Sequence, residues 1–214
     1  MISILFENDD LLVVEKPEGI ATIPERQKEK ECLLGLVSAS VAHKLYIVHR
    51  LDKEVSGVLV FAKHAAAHKN LNEQFNQRKI QKTYMAVTHG VIERAIHRID
   101  TPIRQFGSGR MGIDLKQGKP CITEFSVTQR FEAYTLVKIH PLTGRRHQIR
   151  VHFYSIGHPL VGDSRYGEKS IQSQFPRLLL HAHQLTCRLL SGEEMTFTSP
   201  LPPSFRQVME TMVQ

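Results

Sequence analysis

The chain has 214 residues, 41% hydrophobic and 23% charged, with a formal charge of +7 and three cysteines. That length can bury one substantial core, and the ordinary composition excludes fibrous and disordered classes. The positive balance points to a polyanionic partner, with nucleic acid ahead of membrane.

Cys32, Cys121 and Cys187 lie too far apart for metal-ligand spacing and suit the reduced thiols of a cytoplasmic protein. The first seven residues lack the basic flank and long apolar stretch of a signal peptide. No apolar run reaches membrane-spanning length, so no membrane partner is expected.

Residues 2–6 and 11–15 are apolar runs around a polar turn, the pattern of a hairpin. Pro17 and Gly19 then break the second strand. The mixed charges of residues 25–31 suit a solvated loop. Leu33, Leu36, Val37 and Val41 recur at helical spacing and predict a helix over 32–43.

His49-Arg50-Leu51-Asp52-Lys53-Glu54-Val55-Ser56-Gly57 is a charged loop feeding the apolar run Val58-Leu59-Val60-Phe61-Ala62, which reads as a buried strand. A second helix follows over 65–78, burying Leu71 and Phe75 and exposing Lys69 and Arg78. A strand over 83–88 comes next. Residues 101–120 carry four glycines, several basic side chains and little apolar periodicity. They form either a basic loop that closes on a ligand or a long exposed connection. Paired strands are expected over 123–128 and 134–140, further strands over 178–187 and 195–198, and a closing amphipathic helix over 205–213. Strands and helices interleave irregularly and no linker divides the chain, so the class is α+β in a single domain, residues 1–214.

Two stretches could carry chemistry. Loops entering a rigid sheet commonly hold functional residues, and a carboxylate at Asp52 would be supported by Arg50, Lys53 and two nearby histidines. On spacing alone, the plainer reading is a turn whose Asp accepts backbone hydrogen bonds. The second stretch runs from Pro141 to His152. A helix starting at Thr143 or Gly144 would bury Ile149, Phe153 and Ile156 and project Arg146 and Arg150 together, four residues apart. Residues 133–162 hold four Lys or Arg and no Asp or Glu, which favours an anion-binding face over a solvated one. Arg150 would also need a counter-charge, for which Asp52 is a candidate.

His49-Arg50-Leu51-Asp52 with Ser56-Gly57 resembles the catalytic motif of the RluA-type RNA pseudouridine synthases. Further blocks are similar to that family in the same order: Lys16-Pro17-Glu18-Gly19, Lys82-Thr83-Tyr84-Met85-Ala86, Thr143-Gly144-Arg145 with His147-Gln148-Ile149-Arg150-Val151-His152, Gly162-Asp163, Tyr166-Gly167, and Leu179-Leu180-His181-Ala182. Val55 stands where the family commonly has Thr, which bears on hydrogen bonding in the loop rather than on the reacting group. Many relatives carry an S4-type RNA-binding domain before the catalytic part. This chain resembles the compact members, whose RNA recognition falls to the catalytic domain.

The resemblance implies a mixed, mainly antiparallel sheet with flanking helices. It implies isomerisation of uridine to pseudouridine in tRNA or rRNA, by a monomer, without metal or organic cofactor. Asp52 would be the catalytic carboxylate, Arg150 its cation, and Tyr84 a partner of the uracil, although a strand Tyr is more commonly a core residue. Leu180 would wall the base, and His49, Arg145 and Arg146 would contact the RNA. Arg50 would fill the stack left by a flipped nucleotide or else contact a phosphate. The rival reading is a non-catalytic RNA-binding or RNA-chaperone protein on the same fold. A glycosidase lacks a second acid suitably placed beside Asp52. The twelve histidines form no recognisable metal set.

Overall fold

The computed structural model describes residues 2–24, 32–41 and 43–212. The charge run at 25–31 lies outside them, as does the end of the closing helix expected to reach 213. In chain order the elements are β1 (Ser3–Glu7), β2 (Leu11–Lys16), α1 (Leu33–Ser38), β3 (Tyr46–Ile47), β4 (Ser56–Ala62), α2 (Ala65–Asn76), β5 (Gln81–His89), β6 (Ile96–Ile99), β7 (Ile103–Gln105) and β8 (Met111–Ile113). Then come β9 (Thr123–Arg130), β10 (Tyr134–Pro141), α3 (Gln148–Ser155), α4 (Lys169–Gln172), β11 (Leu180–Arg188), β12 (Glu194–Thr198) and α5 (Pro203–Glu210). No helix among the described residues is long and apolar enough to cross a membrane.

The chain forms two compact units, Met1–Lys82 with His181–Pro200, and Thr83–Leu180 with Leu201–Gln214. In the first, the expected β1–β2 hairpin forms, with Asn8 Oδ1 accepting from the N–H groups of Asp10 and Leu11 in its turn. Strand β2 pairs antiparallel with β4, and β4 pairs parallel with β11, which pairs antiparallel with β12. Every residue of β4 is buried, as expected of a strand covered on both faces. Val58 and Val60 pack with Leu71 of α2 and Phe197 of β12 in one core cluster. Helix α1 is shorter than its periodicity predicts: Leu33 and Val37 are buried, but Leu36 is exposed.

In the second unit β5, β10, β9 and β6 pair antiparallel in that order. Val87, Leu136 and Leu179 pack against Phe205 and Val208 of α5. The mainly antiparallel α+β architecture is thus as expected. Residues 101–120 are more than a bare connection. They contain the β7–β8 hairpin, whose Ile103 and Met111 pack with Val151 of α3 and Tyr166. Two buried apolar side chains, Ile103 and Met111, anchor these short strands, too few to create a period.

Candidate functional site

In the first unit, the Lys16-Pro17-Glu18-Gly19 turn anchors the loop that carries Asp52. Strand β2 delivers Lys16 fully buried, and its ammonium donates to the carbonyls of Pro17 at 2.8 Å, Ile20 at 2.7 Å and Lys53 at 3.1 Å. A buried charge needs such a set of acceptors. The Gly19 N–H reaches the same Lys53 carbonyl at 2.8 Å, from a backbone with φ +83° that favours glycine. Thr22 Oγ1 lies 3.0 Å from the Leu51 carbonyl and 3.2 Å from the Leu51 N–H, so it fixes the residue before Asp52. The Val55 N–H donates to the Asp52 carbonyl at 3.1 Å and closes a turn. Asp52 is half-buried on this frame and Arg50 is exposed. Gly57 has φ +122°, and a Cβ there would meet the Ala182 carbonyl oxygen at 2.2 Å, so the close approach of β4 and β11 requires glycine.

His49 Nε2 accepts from the Val60 N–H at 3.0 Å, and its ring stacks on Phe75 at 5.0 Å. Burial, then the charge of Lys82, pushes its pKa down to about 3. Burial also holds the Lys82 ammonium below the ordinary lysine range. His49 therefore holds backbone as a neutral ring. An unfolded histidine binds a proton at about pH 6.5, so the His49 contribution to stability is complete above that pH. It is lost as pH falls towards about 3. We expect the urea midpoint to fall between roughly pH 6.5 and 5, with His49 contributing at most about 1.4 kcal/mol per pH unit. His49→Gln should flatten that slope, and an unchanged slope would contradict this role.

In the second unit Tyr84 is half-buried on β5 opposite Ile139 of β10, and Leu180, the first residue of β11, is buried. Helix α3 begins later than expected. Gln148 Oε1 accepts from Thr143 Oγ1 at 2.7 Å and from the Arg145 N–H at 3.0 Å, while its Nε2 donates to the Ile122 carbonyl at 2.9 Å. This buried amide organises residues 143–147 as a turn, and His147 enters the helix with φ +54°. Arg146 and Arg150 consequently do not project together. Arg145 and Arg146 are exposed before the helix, whereas Arg150 is fully buried within it. Ile156 ends the helix and is exposed.

Within this unit the counter-charge of Arg150 is Asp163, which sequence reasoning did not assign. Its carboxylate accepts from Arg150 Nε and NH2, both at 2.8 Å. The same carboxylate accepts from the Arg165 N–H at 3.0 Å and the Tyr166 N–H at 3.1 Å. Both charges are buried, and two-pronged geometry with additional donors is what makes such a pair tolerable. Tyr166 places its ring beneath the Arg150 guanidinium, 5.4 Å away, and its hydroxyl lies 2.8 Å from His147 Nδ1. Burial raises the Tyr166 pKa, so the phenol stays protonated. The signal that could have found this assembly is the polar pair Gly162-Asp163. Gly162, at φ +75°, lets the Arg177 carbonyl approach, since a Cβ would meet it at 1.8 Å.

Among the described residues, no three His, Cys, Asp or Glu are grouped to hold a metal ion. The first unit offers a carboxylate on a firmly held loop beside an exposed arginine, and the second offers a buried, oriented guanidinium, a strand tyrosine and exposed arginines.

The model of a family described as RNA pseudouridylate synthase matches residues 10–155. An uncharacterized RNA pseudouridine synthase of Aquifex aeolicus (strain VF5) is 39% identical over an alignment covering 97% of this chain and 72% of that protein. Ribosomal large subunit pseudouridine synthase C of Yersinia pestis is 38% identical, covering 96% and 68%. Among solved structures, human RNA Pseudouridylate Synthase Domain Containing 1 matches with a TM-score of 0.83 at 29% identity, over 99% of this chain and 94% of that one.

Proposed function

We propose, from the premise that this chain belongs to the RNA pseudouridylate synthase family and is an isomerase acting on RNA, that Asp52 is its catalytic carboxylate. The observation that carries this reading is the frame around Asp52. Lys16, Gly19 and Thr22 all fix the backbone on either side of it, an investment a solvated surface turn does not need.

The reaction breaks the bond between uracil N1 and ribose C1′, turns the base, and joins C5 to C1′. The hydrogen on C5 leaves to water. Asp52 attacks C1′ or takes the C2′ proton, and both routes use a charged carboxylate. Arg150 supplies the positive charge, oriented by Asp163 through two of its nitrogens. Tyr84 lies against the uracil and moves a proton, and Leu180 walls the base. Arg50 takes the place of the nucleotide flipped from the stack, a step costing a few kcal/mol. Arg145 and Arg146 contact phosphates, while His49 serves through the loop it holds. The chain works as a single catalytic domain and a monomer in the cytoplasm.

The proposed substrate is large-subunit ribosomal RNA, because the Yersinia pestis relative is named for it. Pseudouridine mapping in cells lacking the protein tests this. Loss of a site in large-subunit RNA supports it, and loss confined to tRNA would replace it.

RNA affinity should fall steeply with salt. Lys79, Arg145 and Arg146 are exposed cations, and each single-strand phosphate neutralised adds about −0.7 to the slope of log K against log salt. Titration of a labelled RNA at several salt concentrations checks this, and a flat affinity would contradict it.

A further inference from the structure

Ser56 ends the loop that carries Asp52 and opens β4. Its Oγ lies 2.9 Å from Nδ1 of His181, a histidine with 0% exposure. The other ring nitrogen, Nε2, lies 3.1 Å from the Ser199 carbonyl oxygen. A carbonyl only accepts, so Nε2 carries a proton and donates. In the neutral ring Nδ1 is then the acceptor, and the Ser56 hydroxyl donates to it.

The far anchor is itself immobilised. The Ser199 hydroxyl donates to Glu15 Oε1 at 2.9 Å, its N–H donates to the His183 carbonyl at 2.8 Å, and its carbonyl also accepts from His183 Nδ1 at 2.7 Å. The backbone beside the ring is locked in register, with His181 opposite Ser56 and Ala182 opposite Gly57. The absent side chain at Gly57 lets these strands approach. The ring therefore ties the exit of the loop to β2, to β11 and to the segment after β12. The Lys16 and Thr22 contacts hold the loop elsewhere, without involving His181.

We infer that His181 is a positioning residue for the isomerisation, acting through the Ser56 hydroxyl to set the height at which Asp52 meets the uridine. This rests on Asp52 being the catalytic carboxylate. Transmission is short, because the Val55 N–H to Asp52 carbonyl bond closes the chain between Ser56 and Asp52 into one turn. A reacting group displaced by about 1 Å loses on the order of a hundredfold in rate, while the surfaces that bind RNA stay as they are.

The two nitrogens of His181 can be tested separately. His181→Asn places an amide near Nδ1 and keeps a partner for Ser56. His181→Gln places one near Nε2 and keeps a partner for Ser199. The readout is single-turnover tritium release from RNA labelled at uracil C5 and extracted from cells lacking the enzyme, with half-saturating RNA concentration measured alongside. We expect His181→Gln and Ser56→Ala each to slow the saturated rate by about a hundredfold without changing half-saturation. We expect His181→Asn to retain most of the rate, and Ser56→Ala with His181→Gln to be no slower than either alone.

Equal losses in the Asn and Gln variants would reduce His181 to a structural residue and overturn the inference. So would an undiminished rate in Ser56→Ala, which removes one oxygen and decides the matter if the His181 variants fail to fold. Asp52→Asn is run in parallel. Turnover there would overturn the reading of Asp52 itself, whereas a dead Asp52→Asn beside a fast Ser56→Ala would overturn the clamp alone.

Discussion

Asp52→Asn should abolish pseudouridine formation while leaving RNA affinity nearly intact. The amide has almost the shape of the carboxylate, and several backbone contacts that fix this loop are made by other atoms. Lys16 and Gly19 bind the Lys53 carbonyl, Thr22 binds Leu51, and Val55 binds the Asp52 backbone rather than its side chain. The substitution therefore removes a nucleophile or base and leaves these backbone contacts in place. It also leaves the exposed Arg145 and Arg146, the proposed phosphate contacts, unchanged. Single-turnover tritium release and a binding titration on the same RNA separate the two quantities. Retained turnover would remove Asp52 from the chemistry, and a large loss of affinity would show that the side chain serves binding instead.

The second large effect is on stability. Arg150→Met should cost about 3–5 kcal/mol, the usual consequence of stranding one member of a buried ion pair. Asp163, with 0% exposure, then keeps only its backbone donors at Arg165 and Tyr166. Activity should be lost as well, because the positive charge proposed to serve Asp52 is gone. Adding Asp163→Asn should recover part of the stability, since the amide removes the stranded charge and still offers an oxygen to those two N–H groups. Activity should not return. Urea unfolding of the two single variants and the double variant measures the coupling, expected within about 0.5–3 kcal/mol for residues in contact. Additive losses would show that the pair does not act as a unit.

The elements that could be read from the amino-acid sequence are those whose signal is local. Residues 58–62 are an unbroken apolar run because both faces of β4 are covered, and the hairpin before it is marked by its polar turn. The family resemblance likewise rests on short contiguous blocks. What escaped reading depends on single side chains acting at a distance. Nothing in Thr143-Gly144-Arg145 announces that Gln148 will bind it as a turn and delay α3, and without that delay Arg146 and Arg150 seem to share a face. The β7–β8 hairpin is too short and glycine-rich to show a period, and it is held by packing on α3. Lys16 looks like a surface lysine at a turn until its three carbonyl partners are seen. Asp163 lies thirteen residues after Arg150 in an irregular loop, where no periodicity links the two.

The most direct test of the central claim is a comparison in cells lacking the protein, supplied with either the parent chain or Asp52→Asn, with pseudouridines mapped across large-subunit ribosomal RNA. The predicted result is at least one site lost in the deletion strain, restored by the parent and absent with Asp52→Asn at equal protein level. Restoration of that site by Asp52→Asn would contradict the account.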